Sequence, residues 1–500
     1  MKRLIYIIAT AVVSCLAFSS CEDMELLQER PYSVMQGTYP STYDEVVTVI
    51  NTVYYQLRNS NCFSSPAFVD PMALSDLLVG RGSFAASYES GITSACEGRS
   101  EKQWNMFYKA VRYANQAINM TAVASEITAE EKDAAYAEAR FLRALTYSYL
   151  VKFYGGVPLV VETDDATVNK PRESAENIWK YIKEEMTYAA GILPDSPREY
   201  GRPGKAAAYF GLAEANLYLE NWSEAATAAK KAIDLGVNKL VRLSEAMDFE
   251  KLYAYKSDKG SDRSEEVWYL QYNQDITSLL YNRMMDQGVK LPKTNSGVLA
   301  IYADETNKKI AAWDKNDFRY QYFLYKPTAT EYANCGNLKA ETSTGLIVSK
   351  YRDYDLTSKL GHHNYPIIKY TDILFIYAEA AAKAAGAPTT EAMEVINQIH
   401  RRAYGQTPTS SWSEDYKLSD YNTVDKFMTL LLKEKGYETF AEGKRYFDLK
   451  RLGLLGQYAY EAGRISSPSA VADKALWWPI PPTELANNTA MTADDQNPGW

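Results

Sequence analysis

Histidine and cysteine are scarce in this chain of 500 residues, which contains three histidines and five cysteines. The histidines, His362, His363 and His400, do not form the His-Glu-x-x-His motif of zinc hydrolases. The cysteine spacings suit no structural zinc site, and no loop resembles an EF-hand. Neither a Gly-x-Ser-x-Gly nucleophile motif nor a Gly-Lys-Ser/Thr phosphate loop is present. The sequence therefore predicts no metal site, no cofactor and no recognisable catalytic motif.

The chain also has no excess of positive charge and few long apolar runs. The net charge is -9 and the isoelectric point is about 5.3, which argues against general nucleic-acid binding because that function needs a basic face. Beyond the N-terminus, no apolar run reaches the roughly 20 residues that span a bilayer. We therefore expect a body that lies outside the membrane.

The N-terminus has the pattern of an export signal. Lys2 and Arg3 precede the apolar run Leu4–Val13, which is too short to span a bilayer. The sequence "FSSC" resembles a bacterial lipobox, although Phe18 stands where Leu is usual. It predicts a signal peptide over 1–20 and lipidation of Cys21 with acyl chains such as palmitate. The alternative is a plain secretory signal in which Cys21 has no role.

Three acidic residues, Glu22, Asp23 and Glu25, follow at once. They resemble the tags that send some Gram-negative lipoproteins to the outer face of the outer membrane. The alternative is that they form only a solvated tether.

The remaining cysteines are Cys62, Cys96 and Cys335. In an oxidising compartment, a Cys62–Cys96 disulfide would leave Cys335 unpaired. Three buried thiols are the other interpretation, and the sequence does not decide between them.

Aromatic residues are abundant, with 40 tyrosines and nine tryptophans. An aromatic ring offers an apolar face with a polar edge, which suits stacking on sugars but also fills helical cores. We expect most of these rings to be core, including Trp104, Tyr108, Trp179 and Trp222.

Helical periodicity is strongest from Lys205 to Leu235, where apolar residues recur at i, i+3, i+4 and i+7 on both sides of "ENW". The pattern predicts a tetratricopeptide-like helical hairpin with Trp222 at the turn. A helix with Ser174 as its N-cap is predicted over the following residues. Further helices are predicted over Tyr43–Leu57, Trp104–Met120, Ala134–Phe153, Thr371–Ala385, Glu391–Ala403 and Thr423–Glu442.

Two stretches have little periodicity. Residues 237–364 are rich in Asn, Asp, Gly, Lys and Tyr and predict a loop-rich insertion between helical parts over 40–236 and 365–455. Residues 60–103 are similar in character. Loops on a rigid scaffold commonly carry function, so we expect ligand contacts there.

Several segments in order resemble the SusD/RagB family of nutrient-binding lipoproteins. They are "AEARFLRALTYSYLVKFYGGVPLV" (137–160), "IIKYTDILFIYAEA" (367–380), "INQIHRRA" (396–403), "ETFAEGKRYFDLKRLG" (438–453), "WPIPPTEL" and "QNPGW". The resemblance implies a mainly α, SusD-like fold with tetratricopeptide-like hairpins, formed as one domain by residues 21–500.

The resemblance also implies a function. Such a protein, anchored in the outer membrane and exposed at the cell surface, captures oligosaccharides without cleaving them. It delivers them to a SusC-like TonB-dependent transporter. The alternatives are a peptide- or glycopeptide-binding RagB-like protein, a glycosidase with two carboxylates, and a scaffold that binds other proteins through its repeats.

The charged residues of these motifs are interpreted as scaffold rather than as catalytic groups. Glu442, Arg445, Asp448 and Arg451 are three apart and are predicted to share one helical face. Rows of arginines and carboxylates would then link packed helices. We assign the same role to the remaining charged motif residues: Glu138, Arg140, Arg143, Asp372, Glu379, Asp317 and Arg319.

Candidate ligand-binding residues come from the two loop-rich stretches, from which the family usually builds its sites. Tyr88, Tyr272, Tyr281 and Trp313 are the candidate rings, with Phe84 as a weaker candidate. Arg81 and Asn273 are the candidate polar partners that select sugar hydroxyls.

Overall fold

Long paired helices dominate the computed structural model, which describes residues 40–92, 94–164, 169–255, 259–273, 275–289, 291, 297–353 and 361–500. The predicted signal peptide, Cys21 and the acidic residues after it lie outside these ranges.

The helices follow the periodic segments of the sequence. In chain order they are α1 (Tyr43–Leu57), α2 (Pro66–Ala73), α3 (Ser94–Val123), α4 (Ala129–Tyr154), α5 (Ala175–Ile192), α6 (Lys205–Tyr218), α7 (Trp222–Asp234), α8 (Glu250–Tyr253), α9 (Lys308–Ala311), α10 (Phe318–Phe323), α11 (Ala329–Asn334), α12 (Asn337–Glu341), α13 (Tyr370–Ala385), α14 (Thr390–Ala403), α15 (Val424–Glu438), α16 (Arg445–Arg451), α17 (Leu455–Glu461), α18 (Asp473–Leu476) and α19 (Pro482–Asn487).

Helix starts are fixed by side chains that accept hydrogen bonds from the first turn. Thr42 and Glu45 form a capping box, in which the Glu45 carboxylate accepts from the Thr42 N–H at 2.9 Å. Ser174 Oγ accepts from the Asn177 N–H at 3.1 Å, which confirms it as the N-cap of α5.

The predicted hairpin over 205–235 is confirmed as α6 and α7. Glu220 adopts a positive φ of 58° at the turn, and Trp222 is the first residue of α7. Ala225 and Ala229 are fully buried, so the two helices approach closely. Helices α3 to α7 pack on their neighbours in sequence, and α13 lies against α7. The result is the helical scaffold that the sequence predicted.

Short strands lie in the loop-rich parts. They are β1 (Val79–Gly80), β2 (Ala86–Ser87), β3 (Gly91–Ile92), β4 (Glu266–Leu270), β5 (Ile301–Asp304), β6 (Leu324–Tyr325), β7 (Gly345–Val348) and β8 (Tyr365–Lys369). A four-stranded antiparallel sheet has the order β1-β5-β7-β6. Strands β4 and β8 pair antiparallel across about a hundred residues of sequence, with Leu270 opposite Tyr365. This pairing brings the two ends of the insertion together.

Two predicted helix bounds need correction. Helix α3 begins at Ser94, ten residues before the predicted start, because the polar turns before Trp104 lack apolar periodicity but still continue the helix. Helix α15 ends at Glu438 rather than at residue 442. Ala441 and Gly443 then adopt positive φ values of 59° and 71° before α16 begins. Glu442 therefore lies outside the helix that carries Arg445, Asp448 and Arg451, and the predicted common face forms without it.

The three described cysteines, Cys62, Cys96 and Cys335, are buried thiols with no disulfide between them. Of the two interpretations left open by the sequence, the structure has the one without the bridge. Burial raises the pKa of the Cys335 thiol to about 12.

None of the helices in the described part of the chain is both long and apolar enough to cross a bilayer. Within the same residues, no group of three or more His, Cys, Asp or Glu side chains is placed to hold a metal ion.

Candidate functional site

A cleft of about 420 Å³ opens between the loop that joins α5 to α6 and the β4–β8 pair. Its volume is within the range of roughly 300–1,000 Å³ that small-molecule sites occupy. The cleft is rich in aromatic rings. The lining residues are Tyr200, Lys251, Leu252, Tyr253, Ala254, Tyr255, Ser261, Arg263, Glu266, Tyr269, Gln271, Tyr272, Tyr351, His362, His363, Asn364 and Pro366.

Tyr200 is the exposed ring of the cleft, with 42% of its surface accessible. Its hydroxyl donates to Glu266 Oε2 at 2.7 Å and accepts from Asn364 Nδ2 at 2.8 Å. The Arg263 guanidinium carbon lies 3.7 Å from the ring centroid. Two hydrogen bonds and a cation therefore hold one aromatic ring in a fixed orientation at the surface.

Gly201 places this ring. Its φ is +89°, and a Cβ on it would lie 1.7 Å from Gln271 Nε2. The indole Nε1 of Trp268 donates to the Gly201 carbonyl at 3.0 Å. Only glycine combines this backbone conformation with such close approach, so the loop that carries Tyr200 is tied to β4.

Glu266 is a half-buried carboxylate beside Tyr200. Burial raises its pKa, although the hydrogen bond from Tyr200 and the charge of Arg263 act in the opposite direction. Burial and the Glu266 charge together raise the pKa of Tyr200. The Tyr200 hydroxyl therefore stays protonated at neutral pH and remains a hydrogen-bond donor.

Tyr255 and His362 form a second aromatic wall, with ring centroids 5.0 Å apart and planes tilted by 42°. His362 Nδ1 lies 3.6 Å from Asp353 Oδ2, and His363 Nδ1 lies 3.7 Å from the same oxygen. Four buried tyrosines, Tyr253, Tyr269, Tyr272 and Tyr351, line the interior. The cleft thus combines apolar faces with a limited number of polar groups, as sugar sites require.

A larger groove of about 680 Å³ lies on the helical side and is lined by Trp179, Tyr218, Trp222 and Trp477. Trp179 stacks on Tyr218 with centroids 4.1 Å apart and planes 15° from parallel. Lys383 and Lys450 lie 4.2 and 4.0 Å from the rings of Trp222 and Trp477. Each of these rings has a partner on one face, as Tyr200 has in Arg263, so stacking does not separate the two sites. We favour the Tyr200 cleft because Glu266 and Asn364 place polar groups beside its exposed ring.

The structure places the predicted ligand residues in different settings. Tyr272 lines the cleft, whereas Asn273 beside it is exposed and its Oδ1 accepts from the backbone of Asp275 and Ile276. Arg81 Nε donates to Glu341 Oε1 at 3.2 Å in the separate segment around β1.

Three predicted rings are buried in the core, which corrects the expectation that they present open faces. Tyr88 is 2% exposed and donates its hydroxyl to Leu74 O, and Tyr281 is fully buried and donates to Leu291 O. Trp313 is 1% exposed, stacks on Tyr437 at 4.0 Å and donates to Asp317 Oδ2. The weaker candidate, Phe84, is 6% exposed.

The charged motif residues form ion pairs within the scaffold. Arg143 and Arg140 both contact Glu185, and Arg451 binds Glu379 through two nitrogens at 2.8 and 2.9 Å. The remaining pairs are Arg445–Asp76, Lys435–Asp448, Lys444–Asp372, Arg319–Asp317, Arg202–Glu138 and Lys350–Glu442. The Arg451–Glu379 and Arg445–Asp76 contacts join segments that are 72 and 369 residues apart in sequence.

Sequence reasoning missed Tyr200, Tyr255 and His362. The signal for Tyr200 was a tyrosine directly before Gly201 in a loop between two predicted helices. Nothing local distinguished Tyr255 or His362, because the walls of the cleft come from segments that long-range contacts, the β4–β8 pairing and the Tyr255–Asp353 bridge, bring together.

Two family models match the chain. The model of the SusD family matches residues 280–500, and a SusD-like model described as "Starch-binding associating with outer membrane" matches residues 25–219. Together they span both helical parts and much of the insertion. The chain belongs to the SusD/RagB family, which confirms the resemblance drawn from its motifs.

Individual relatives agree with this assignment. The chain is 25% identical to SusD-like protein P2 of Formosa agariphila, over 98% of this chain and 99% of that protein. It is 24% identical to the starch-binding protein SusD of Bacteroides thetaiotaomicron, over 73% of this chain and 72% of that protein.

Solved structures share the fold. A SusD homologue from Bacteroides thetaiotaomicron aligns with a TM-score of 0.77 at 20% identity, over 94% of this chain and 100% of that one. The surface glycan-binding protein A of Bacteroides uniformis aligns with a TM-score of 0.72 at 19% identity, over 91% and 99%. The protein has a mainly α, SusD-like fold.

Proposed function

We propose that this protein is a glycan-binding lipoprotein of the outer-membrane surface that does not cleave its ligand. In this proposal it captures oligosaccharides in the Tyr200 cleft and delivers them to a SusC-like TonB-dependent transporter. Family membership and the names of relatives that bind starch or glycan support it. The observation that carries it is the fixed, exposed ring of Tyr200 over an aromatic cleft.

The binding energy comes from the shape of a sugar. A pyranose has an apolar C–H face and a rim of hydroxyls. A ring that covers about 60–80 Å² of that face contributes about 1.5–2 kcal/mol. Two or three rings, less several kcal/mol for the lost motion of the ligand, give affinities of roughly millimolar to micromolar. Such affinities allow release to a transporter.

The carboxylates of the cleft argue for binding rather than hydrolysis. Glycosidases use two carboxyl groups, about 5 or 6.5–9.5 Å apart. Among the described lining residues, Glu266 is the only carboxylate, and its Oε2 accepts the Tyr200 hydroxyl. Glu266 therefore holds an aromatic ring in place and has no acidic partner along the cleft.

The ligand proposal is tested by affinity electrophoresis of the purified protein through gels that contain neutral or acidic polysaccharides. We expect at least one polysaccharide to retard the wild type. The Tyr200→Ala variant should lose that retardation and still unfold cooperatively, with a modest fall in melting temperature because Glu266 loses a hydrogen-bond donor. Retardation by no polysaccharide, together with binding of peptides, would contradict the proposal. New reducing ends after incubation would contradict its non-catalytic part.

Anchoring and delivery need separate experiments. Replacing the predicted lipidation residue by Cys21→Ser should release the protein from the membrane fraction and abolish incorporation of labelled palmitate. Detergent-solubilised wild type should co-purify with a TonB-dependent transporter. A Cys21→Ser protein that still carries palmitate would contradict the anchor, and purification without any transporter would contradict the partner.

A further inference from the structure

Tyr55, near the end of α1, carries an exposed aromatic ring. The ring is 55% exposed, and among the described residues the other exposed rings are Tyr200 at 42% and Tyr460 at 45%. Tyrosine presents a flat apolar face, and in Tyr55 this face is in contact with water instead of the core. A ligand can therefore reach it without any rearrangement of the protein.

The face of α1 that carries Tyr55 is tied to the segments around the cleft. Asn51, Tyr55 and Arg58 occur at i, i+4 and i+7 and so share one side of the helix. Towards the start of this face, Asn51 Oδ1 accepts from Arg202 Nη2 at 2.7 Å. Towards its end, Arg58 Nη1 donates to the Gln271 carbonyl at 3.2 Å. Tyr55 therefore lies between a contact to the α5–α6 loop and a contact to the end of β4.

These two segments also hold the exposed ring of the cleft. Gln271 lines the cleft, and its Nε2 donates to the Tyr200 carbonyl. The residue before Tyr55 packs on the same structure, because the ring centroids of Tyr54 and Trp268 are 6.0 Å apart and Trp268 donates to the Gly201 carbonyl. Helix α1 is thus packed directly against the side of the cleft that carries Tyr200.

The two exposed rings lie near each other but outside the reach of one sugar residue. A single residue, Gln271, bridges Arg58 and Tyr200, through its carbonyl and its side-chain amide. Tyr55 is nevertheless not one of the lining residues of the cleft. A monosaccharide in the cleft would therefore contact only Tyr200, whereas a longer chain that leaves the cleft over Gln271 would pass Tyr55.

We propose that Tyr55 is a second sugar-binding ring beside the cleft, and that the protein prefers oligosaccharides long enough to cover both Tyr55 and Tyr200. This inference rests on the proposed function, because it concerns the length of the ligand held in the same cleft. A chain bound at Tyr200 has already lost most of its overall motion. A further contact at Tyr55 then costs little more and raises the affinity.

The test is isothermal titration calorimetry with a short and a long ligand. The probes are the disaccharide and the hexasaccharide of the maltose, cellulose, mannan, xylan, galactan and polygalacturonate series, and the series that binds the wild type most tightly is used for the variants. We expect the wild type to bind the hexasaccharide about tenfold more tightly than the disaccharide. The Tyr55→Ala variant should bind the hexasaccharide about tenfold more weakly, because it loses one stacked sugar residue. It should bind the disaccharide as the wild type does.

Two further variants serve as controls. Tyr55→Phe keeps the apolar face and should bind both ligands normally. Tyr460→Ala removes the exposed ring on α17, which is not among the residues that line the cleft, and should also bind both normally. Retained binding of the disaccharide by Tyr55→Ala would show that the variant is folded with its cleft intact.

Several results would overturn the proposal. One is a Tyr55→Ala protein that binds the hexasaccharide like the wild type. Another is an equal loss for both ligand lengths, since Tyr55 would then act on the cleft and not on the rest of the chain. A Tyr55→Phe protein as weak as Tyr55→Ala would exclude stacking on the ring. A wild type that binds no probe of either length would instead contradict the proposed function.

Discussion

Arg445 forms a bidentate ion pair with Asp76, which lies 369 residues away in sequence. Its Nε is 2.9 Å from Asp76 Oδ1, and its Nη2 is 2.9 Å from Oδ2. Arg445 is 6% exposed and Asp76 is fully buried. Burial disfavours the charge of Asp76, but Arg445 outweighs it and lowers the pKa of that carboxyl. The contact joins α16 to the segment after α2. It therefore links the N-terminal part of the described chain to the C-terminal part.

Breaking this contact should destabilise the whole protein. In Arg445→Met, Asp76 would remain buried with Lys309, at 3.2 Å, as its one cation among the residues that the structure describes. Removing one member of a buried ion pair costs about 3–5 kcal/mol. Urea denaturation should show this loss as a lower midpoint.

Lys326→Met is the matched control, since it breaks an ion pair in which the lysine side chain is 67% exposed. Its midpoint should stay close to that of the wild type. An Arg445→Met protein with wild-type stability and no glycan binding would show that Arg445 belongs to a ligand site instead of the scaffold.

The protein should lose stability as the pH falls from about 4.5 towards 2. Although burial disfavours the charged form of Glu379, Arg451 and Lys383 hold its pKa at about 2. A carboxyl with a lowered folded-state pKa stabilises the fold above its unfolded value of about 4.5 and loses that contribution as the pH falls towards 2. This shift corresponds to about 3 kcal/mol.

Stability measured by urea denaturation should therefore fall steeply below pH 4.5, after an earlier decline below about pH 6.5 from His363 and His400, whose pKa values burial lowers. Glu442, whose pKa is also about 2, acts in the same direction. The Glu379→Gln variant should be less stable at pH 7 and show a shallower fall between pH 4.5 and 2. An unchanged slope in this variant would contradict the assignment.

Replacing Gly201 should weaken ligand binding more than it destabilises the core. In Gly201→Ala, the backbone keeps an unfavourable φ and the new Cβ displaces the Gln271 side chain, whose Nε2 donates to the Tyr200 carbonyl, so the Tyr200 loop loses a contact that holds it. We expect about tenfold weaker glycan binding by calorimetry. Gly236→Ala is the control, because Gly236 also has a positive φ, of 65°, but open space around its Cβ. Equal losses of affinity in the two variants would mean that the position of the loop does not control binding.

The helical scaffold was largely predictable because its signal is local. Apolar residues at helical spacing and N-caps such as Ser174 define α1, α5, α6 and α7 almost to the residue. The break after Glu438 was not predictable. Its key residue is Ala441, which adopts a left-handed conformation that the sequence does not indicate for an alanine.

The site was mostly unpredictable because exposure depends on tertiary packing. Trp313 and Tyr281 lie in the insertion, as Tyr272 does, and have the composition expected of sugar-binding rings. Packing against Tyr437 and His363 covers them, whereas Tyr200 stands open in a loop between helices. No local pattern separates these cases, since the covering partners are distant in sequence.

The central claim is that sugar binds in the Tyr200 cleft. A crystal structure of the protein soaked with the oligosaccharide that binds most tightly tests it most directly. We predict an intact sugar residue within the cleft, with its C–H face against the exposed ring of Tyr200. An empty cleft with the sugar bound at another surface, or a hydrolysed product in the cleft, would contradict it.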